Sequence, residues 1–258
     1  MARPGLAAWY RAHGRHDLPW RATRDRWAVL VSEVMLHQTQ VPRVATVYDD
    51  FLARFPTPAS MADAGPAAVI AAWGRLGYPR RARRLYDAAC VIAADGWPDD
   101  LTTLPGVGRY TALAVGAQVD DHDAVGIEVN IRRVVQRVVG RVLSDREAED
   151  AARVVSGRLR GRDRLLALMD LGATVCRPRD PQCDACPLED RCATRGALPG
   201  EVRARQAPFA GSFRQRRGIV MAALRDGPAP VAGLDVAALE SLVADGLAAI
   251  DGGVASLP

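Results

Sequence analysis

Four of the five cysteines, Cys176, Cys183, Cys186 and Cys192, fall within the 17 residues CRPRDPQCDACPLEDRC. Two disulfides do not suit a chain whose first 20 residues hold Arg3, Arg11, Arg15 and Asp17 and no apolar export segment. The cytoplasm is the expected compartment. Four thiolates this close together read as a metal site. A zinc ion with four Cys ligands would close it, and an iron–sulfur cluster needs the same thiolates. The spacing leaves that choice open. Four protein ligands leave no free position, so the metal is not expected to be catalytic. Cys90 lies alone in LYDAACVIAAD and reads as a buried structural thiol.

Elsewhere the apolar spacing is helical. Val31, Val34 and Met35, then Val41, Val44, Val47, Tyr48 and Phe51, repeat at helical intervals. Residues 59–73, 80–94, 130–142 and 151–171 read as further helices, with short Pro- and Gly-containing breaks between them. At 258 residues and 49% hydrophobic content the chain can bury the cores of two packing units. No apolar run approaches the roughly 18 residues that would span a bilayer. The expectation is an all-α fold as far as residue 200. Residues 201–212 read as a linker, 213–225 and 236–244 as helices, and LAAIDGGVASLP as a hairpin around Asp251-Gly252-Gly253. Helix, helix and hairpin make a reduced winged-helix pattern. Its six Arg and six acids do not favour DNA contact over simple packing.

All 34 cationic residues are Arg, so no lysine amine is available as a nucleophile. The net charge of +4 says little by itself, but five of the ten residues from Arg75 to Arg84 are Arg. A single such cluster is by default a solvated helix face. The loop LPGVG at 104–108 adds a second signal, because a tight glycine turn leading into a helix aims backbone N–H groups and a positive helix end at an anion. Gly106 and Gly108 permit the turn and a close phosphodiester, and Arg109 opens the helix.

Several motifs occur together: LPWR (18–21), SEVMLHQTQV (32–41), RLGYPRRAR (75–83), LPGVGRYTA (104–112), EVNIRRV (128–134), MDLGATVC (169–176) and the cysteine run. In this combination the chain resembles the helix-hairpin-helix DNA glycosylases, and within them the MutY family of adenine-DNA glycosylases. The resemblance covers about residues 9–192. It implies two helical lobes with a DNA cleft between them: a six-helix barrel with the hairpin at 24–126, and a cluster lobe at 1–23 plus 127–200. The short appendage at 201–258 stands where many members carry a larger Nudix-like domain. The resemblance also implies a [4Fe–4S] cluster on Cys176, Cys183, Cys186 and Cys192.

By the same resemblance Glu33 is the acid that protonates adenine, its pKa raised by apolar neighbours. Tyr110 lies beside the sugar, at the position where the related endonuclease III enzymes carry a lyase Lys. Without Lys the expected reaction is base removal alone. Asn130 belongs to a motif that in the family begins with Asp, and here Glu128 stands in its place. One added methylene moves the carboxylate by roughly 1–1.5 Å, enough to slow the chemistry on the order of 100-fold. Glu128 therefore either folds back to serve the same role or leaves a protein that only binds damage. His37 departs from the usual Gln, while Gln38 remains. Gln38 and Tyr78 are implied wedges that enter the duplex, Leu18, Trp20, Arg21 and Asp170 line the base pocket, and Gly106, Gly108, Arg109, Arg80 and Arg81 meet the DNA backbone. The implied partner is double-stranded DNA bearing adenine opposite 8-oxoguanine or guanine, bound by a monomer without membrane association. A thymine or uracil glycosylase and an iron–sulfur electron carrier are the competing activities.

Overall fold

The structure, a computed structural model, describes residues 5–201 and 207–258. Its helices are α1 (Leu6–His13), α2 (Arg26–Leu36), α3 (Val41–Ala45), α4 (Tyr48–Arg54), α5 (Pro58–Trp73), α6 (Arg80–Asp95), α7 (Arg109–Asp120), α8 (Val129–Val139), α9 (Asp145–Val155), α10 (Gly161–Asp170), α11 (Phe213–Asp226) and α12 (Val236–Ala244). The strands are β1 (Ala229–Pro230), β2 (Ala249–Asp251) and β3 (Val254–Ser256). The expected all-α fold is present, and no helix among the described residues is long and apolar enough to cross a membrane. The chain forms two compact units, Met1–Glu33 with Gly108–Ala204, and Val34–Val107 with Arg205–Pro258.

The core of the first unit grows from α8. Ile131, Val134 and Val135 recur at the i, i+3, i+4 spacing of one helix face and are all but fully buried. Ala114 and Ala117 of α7, and Leu165, Leu166 and Leu168 of α10, belong to the same cluster, with Trp9 and Tyr10 of α1. Each large apolar side chain buried this way contributes about 1.5–3 kcal/mol. This packing draws residues 24–33 and 108–126 into the unit that holds the four clustered cysteines, whereas the sequence places them in the barrel lobe.

Several helix ends differ from the sequence reading for local reasons. The single helix expected over 151–171 is two. A capping box, with Ser144 and Glu147 each bonding the other's backbone N–H, starts α9 at Asp145. Gly157 and Gly161, at φ 63° and 44°, then break the chain before α10. The helix expected to reach 142 stops at Val139, because Gly140 takes a left-handed φ of 87°. After α10 the chain continues in a π-helical turn, Leu171–Val175.

In the second unit α5 and α6 pack together. Ala82, Leu85, Ala88, Ala89 and Ile92 supply the buried stripe of α6, while Cys90 is only half-buried. α5 bends at Gly65-Pro66, where φ of Gly65 is 79°. The residues after 207 form helix, strand, helix and hairpin around Val220, Leu224, Leu239, Leu242 and Ala255. β3 pairs antiparallel with both β1 and β2, so the short β1 adds a third strand to the expected hairpin. This tail is not a separate appendage. Arg83 donates to the Gly246 carbonyl at 3.0 Å, and Arg80 pairs with Asp245 at 3.4 Å. Residues 202–206 of the expected linker lie outside the described residues.

Candidate active site

Glu33 is carried on the most buried helix of the chain. Val29, Leu30, Val31 and Met35 show no exposure, and Glu33 itself is 4% exposed. Its Oε1 accepts a 2.7 Å hydrogen bond from Nε2 of Gln118, a buried residue on α7. The Tyr110 hydroxyl also interacts with the carboxyl group. Burial pushes the Glu33 pKa up to about 7, against the pull of these two donors and of Arg21. The same burial, with the charges of Glu33 and Glu128, holds the Tyr110 phenol well above its usual value. Tyr110 fits because Gly126 has no side chain; a Cβ there would sit 2.9 Å from its ring.

Glu128 folds back. It is the N-cap of α8, with Oε1 accepting from the Ile131 amide at 2.7 Å and Oε2 from Asn130 Nδ2 at 3.0 Å. Burial raises its pKa, while these two hydrogen bonds and the Arg133 charge oppose the rise. Asn130 passes the contact on: its Oδ1 accepts from Arg133 at 2.5 Å, and Arg133 also donates to the carbonyls of Gly172 and Cys176. Gly172 is the glycine of MDLGATVC, and a Cβ there would strike Asn130 at 2.7 Å.

Arg21 and Asp170 form one unit. Asp170 is fully buried, and its oxygens accept from Arg21 at 2.6 and 2.7 Å and from Arg15 at 2.7 and 2.9 Å. Those bonds hold the Asp170 carboxyl below the usual carboxylate range despite burial. Asp170 therefore has no oxygen left for a base and acts by fixing Arg21, a correction to its expected place in the pocket lining. Arg162, which sequence reasoning did not single out, donates to the carbonyls of Arg21, Thr23 and Gln118 and pins the LPWR turn. Within that turn Trp20 is buried and Leu18 half-buried.

The four thiols Cys176, Cys183, Cys186 and Cys192 are free and line one recess. Arg137, 1% exposed, also lines it, and donates to Cys176 Sγ at 3.6 Å while its Nε meets Glu201 at 2.9 Å. Burial lifts the Cys186 thiol to about 11 and raises Cys176 against the pull of Arg137. Among the described residues no three His, Cys, Asp or Glu side chains converge tightly enough to hold a single metal ion.

In the second unit Gln38 and Tyr78 are both exposed, at left-handed φ values of 57° and 48°. Arg81 was expected on a DNA phosphate. Instead its guanidinium is turned inward to five oxygens of the loops around Gln38 and Tyr78. Arg80 is engaged by Asp245, and Arg109 of the first unit by Glu149. Gly106 is required by the protein itself, since φ is 78° and a Cβ would meet Arg84 Cβ at 2.7 Å. Gly108, the N-cap of α7, has nothing within 4 Å of its would-be Cβ.

Residues 31–155 match the family model described as HhH-GPD superfamily base excision DNA repair protein. The adenine DNA glycosylase of Mycolicibacterium smegmatis is 42% identical over 266 residues, covering 94% of this chain and 90% of the relative. The chain belongs to the adenine DNA glycosylase family. That of Mycobacterium tuberculosis is 44% identical, covering 94% of this chain and 88% of the relative. A thermostable thymine-DNA glycosylase shares the fold, with a TM-score of 0.65 and 28% identity over 74% of this chain and 93% of that one. Against this family background two features of the site lie outside the sequence motifs. Gln118 lies eight positions beyond Tyr110, and nothing marked it in a helix of small and apolar residues. Arg162 lay in an Arg-rich stretch that reads as solvated surface.

Proposed function

We propose that this protein excises adenine from mispaired double-stranded DNA by hydrolysing its N-glycosidic bond, with 8-oxoguanine or guanine as the opposite base. The observation that carries the reading is a carboxyl group buried beside a Gln and a Tyr, with a pKa near 7 and a second carboxylate close enough to raise it further. Such an acid keeps a proton at neutral pH and can release it to a base.

In this reading Glu33 gives its proton to a ring nitrogen of the extruded adenine as the bond from C1′ to the base breaks. The bonding electrons leave with adenine, and positive charge develops on the sugar. Glu128 faces that charge as a fixed anion. With both oxygens held by Ile131 and Asn130, it suits charge stabilisation better than attack on the sugar. Water adds to C1′, its proton returns to Glu33, and an abasic site remains. The chain has no lysine to carry the reaction on to strand cleavage. Arg21, held by Asp170, shapes the pocket with Trp20 and Leu18. Gln38 and Tyr78 enter the duplex in place of the extruded nucleotide. The bare surface at Gly108 suits close approach of a phosphodiester to the N-terminal amides of α7.

Cys176, Cys183, Cys186 and Cys192 would hold a [4Fe–4S] cluster. The recess they share, and the buried Arg137 cation aimed at one of them, fit a group that binds thiolates. When bound, the cluster supplies a cross-link that secures the loop. Arg133 meanwhile ties the Cys176 carbonyl to Asn130, so the order of the loop bears on the Glu128 site.

The test is single-turnover base release over defined A:8-oxoguanine, A:G, T:G and U:G duplexes, with alkali to reveal abasic sites. Release from the adenine duplexes, lost in Glu33→Gln with DNA affinity kept, is expected. Binding without abasic product would instead assign a damage-binding role, and release only from T:G or U:G a different base.

A further inference from the structure

The two residues read as wedges share an unusual backbone state. Gln38 and Tyr78 are non-glycine residues at φ 57° and 48°, a region disfavoured for side chains with a Cβ. They lie 40 residues apart, on the loop after α2 and the loop before α6. Both loops are short, so a contact shared between them can fix both backbones at once.

One side chain reaches both. Arg81 NH1 lies 2.8 Å from the carbonyl oxygens of Val34 and Met35 and 2.5 Å from that of His37. Its NH2 donates to Thr39 Oγ1 at 2.7 Å and to the Gly77 carbonyl at 3.0 Å. The Val34, Met35 and His37 oxygens lie at the C-terminal end of α2, where backbone carbonyls have no partner within the helix. A guanidinium there satisfies them and ends the helix where Gln38 turns left-handed. Thr39 is the residue after Gln38, and Gly77 the residue before Tyr78. The guanidinium carbon also lies 5.5 Å from the Tyr78 ring centroid and 5.2 Å from that of Trp73. Trp73 in turn donates to the Gly77 carbonyl at 3.0 Å. His37 and Thr39 flank Gln38 and both bond Arg81, while Gly77 and the ring of Tyr78 meet the same guanidinium. Lysine could not substitute, because a single ammonium cannot span acceptors on two loops in a planar fork.

We propose that Arg81 is the positioning residue that locks Gln38 and Tyr78 into one rigid pair, so that the two side chains enter the duplex together. This rests on the reading of both residues as wedges given above. Arg81 touches neither substrate nor reacting atoms. It sets the tips in place before DNA arrives, so that the cost of ordering two loops is not incurred on binding. The effect of losing it falls on extrusion of a stacked, paired nucleotide and spares the chemistry of one already extruded.

The experiment compares adenine release by Arg81→Gln on two substrates: a duplex with a single A:G mismatch, and one whose target adenine already lies unpaired in a bulge. Misplacing the wedges should slow release from the mismatch about 100-fold, and from the bulge only about threefold. Equal losses on both substrates would make Arg81 a general structural residue and overturn the proposal, as would no loss on either. Thr39→Val removes one acceptor and leaves the guanidinium, so it tests the proposal even if Arg81→Gln does not fold. It should show the same substrate pattern with a smaller loss, and an unchanged rate on the mismatch would count against the lock. Tyr78→Ala separates the two layers of the argument. Wild-type behaviour of that variant on the mismatch would sink the wedge reading itself. A defective Tyr78→Ala beside a fully active Arg81→Gln would sink only the role of Arg81.

Discussion

Replacing Glu33 by Gln should abolish base release and, at the same time, make the protein more stable by an amount that grows with pH. Burial raises the pKa of this carboxyl from 4.5 to about 7. A carboxyl raised on folding costs nothing below its unfolded pKa, where both states hold the proton. The cost grows through the window from 4.5 to about 7 and is complete above it, where the folded protein must bury the anion. That shift corresponds to roughly 3 kcal/mol of stability withheld at high pH, since one pKa unit is worth a little over 1 kcal/mol. At 4% exposure solvent screens little of it. Gln is nearly isosteric and carries no charge, so it should recover most of this term. Between pH 5 and pH 8.5 the stability advantage of Glu33→Gln over the wild type should widen by roughly 2–3 kcal/mol. In a chain of this size that is a widening of about 5–10 °C in melting temperature. Thermal unfolding of both proteins at matched pH values measures it, alongside single-turnover adenine release. The wild-type rate should fall roughly tenfold per pH unit above about 7, because the reaction needs the protonated acid. A stability difference that does not change with pH would show that Glu33 titrates normally, and the acid role would fail with it.

Gln118→Leu should move the alkaline limb of the rate profile upward by about one pH unit, because its amide stabilises the ionised form of Glu33 through the 2.7 Å bond. A pH–rate profile checks it, and a limb that stays in place would remove Gln118 from the tuning of the acid. Glu128→Gln keeps an acceptor for the Ile131 amide but removes the charge facing the sugar, so release should slow by about 100-fold or more while thermal stability changes little. A rate equal to wild type would dismiss Glu128 from the mechanism. Cys186→Ser should yield protein with reduced visible absorption and with iron and acid-labile sulfide lost in parallel. Zinc in the wild-type protein, with no sulfide, would show that the four thiols hold a single ion instead.

Much of the site was legible because it is written in contiguous motifs. SEVMLHQTQ sets Glu33 among apolar residues, and the structure finds it buried for that reason. Gly106 was expected at a tight turn, and its left-handed φ with Arg84 packed against it accounts for the residue. Glu128 carries two readings, and its fold-back as the cap of α8, bonded to the Ile131 amide, is the geometry on which the proposed role rests. Where the sequence misled, it did so through charge. Arg81 and Asp170 read as groups waiting for DNA or a base, yet both are spent inside the protein. A run of arginines does not reveal which ones face carbonyl oxygens and which face water.

The amino-acid sequence alone determined the local chemistry: four clustered thiols, a glycine corner opening a helix, an acid on an apolar face and no lysine anywhere. Tertiary structure alone decided what surrounds each of these groups. Gln118 meets Glu33 across 85 positions, and Asp170 meets Arg21 across 149. Spacing fixes which residues share a helix face, but the readiness of a carboxyl group to hold a proton depends on the water it loses and the donors it gains. Those are properties of neighbours in space, brought together only when distant helices pack.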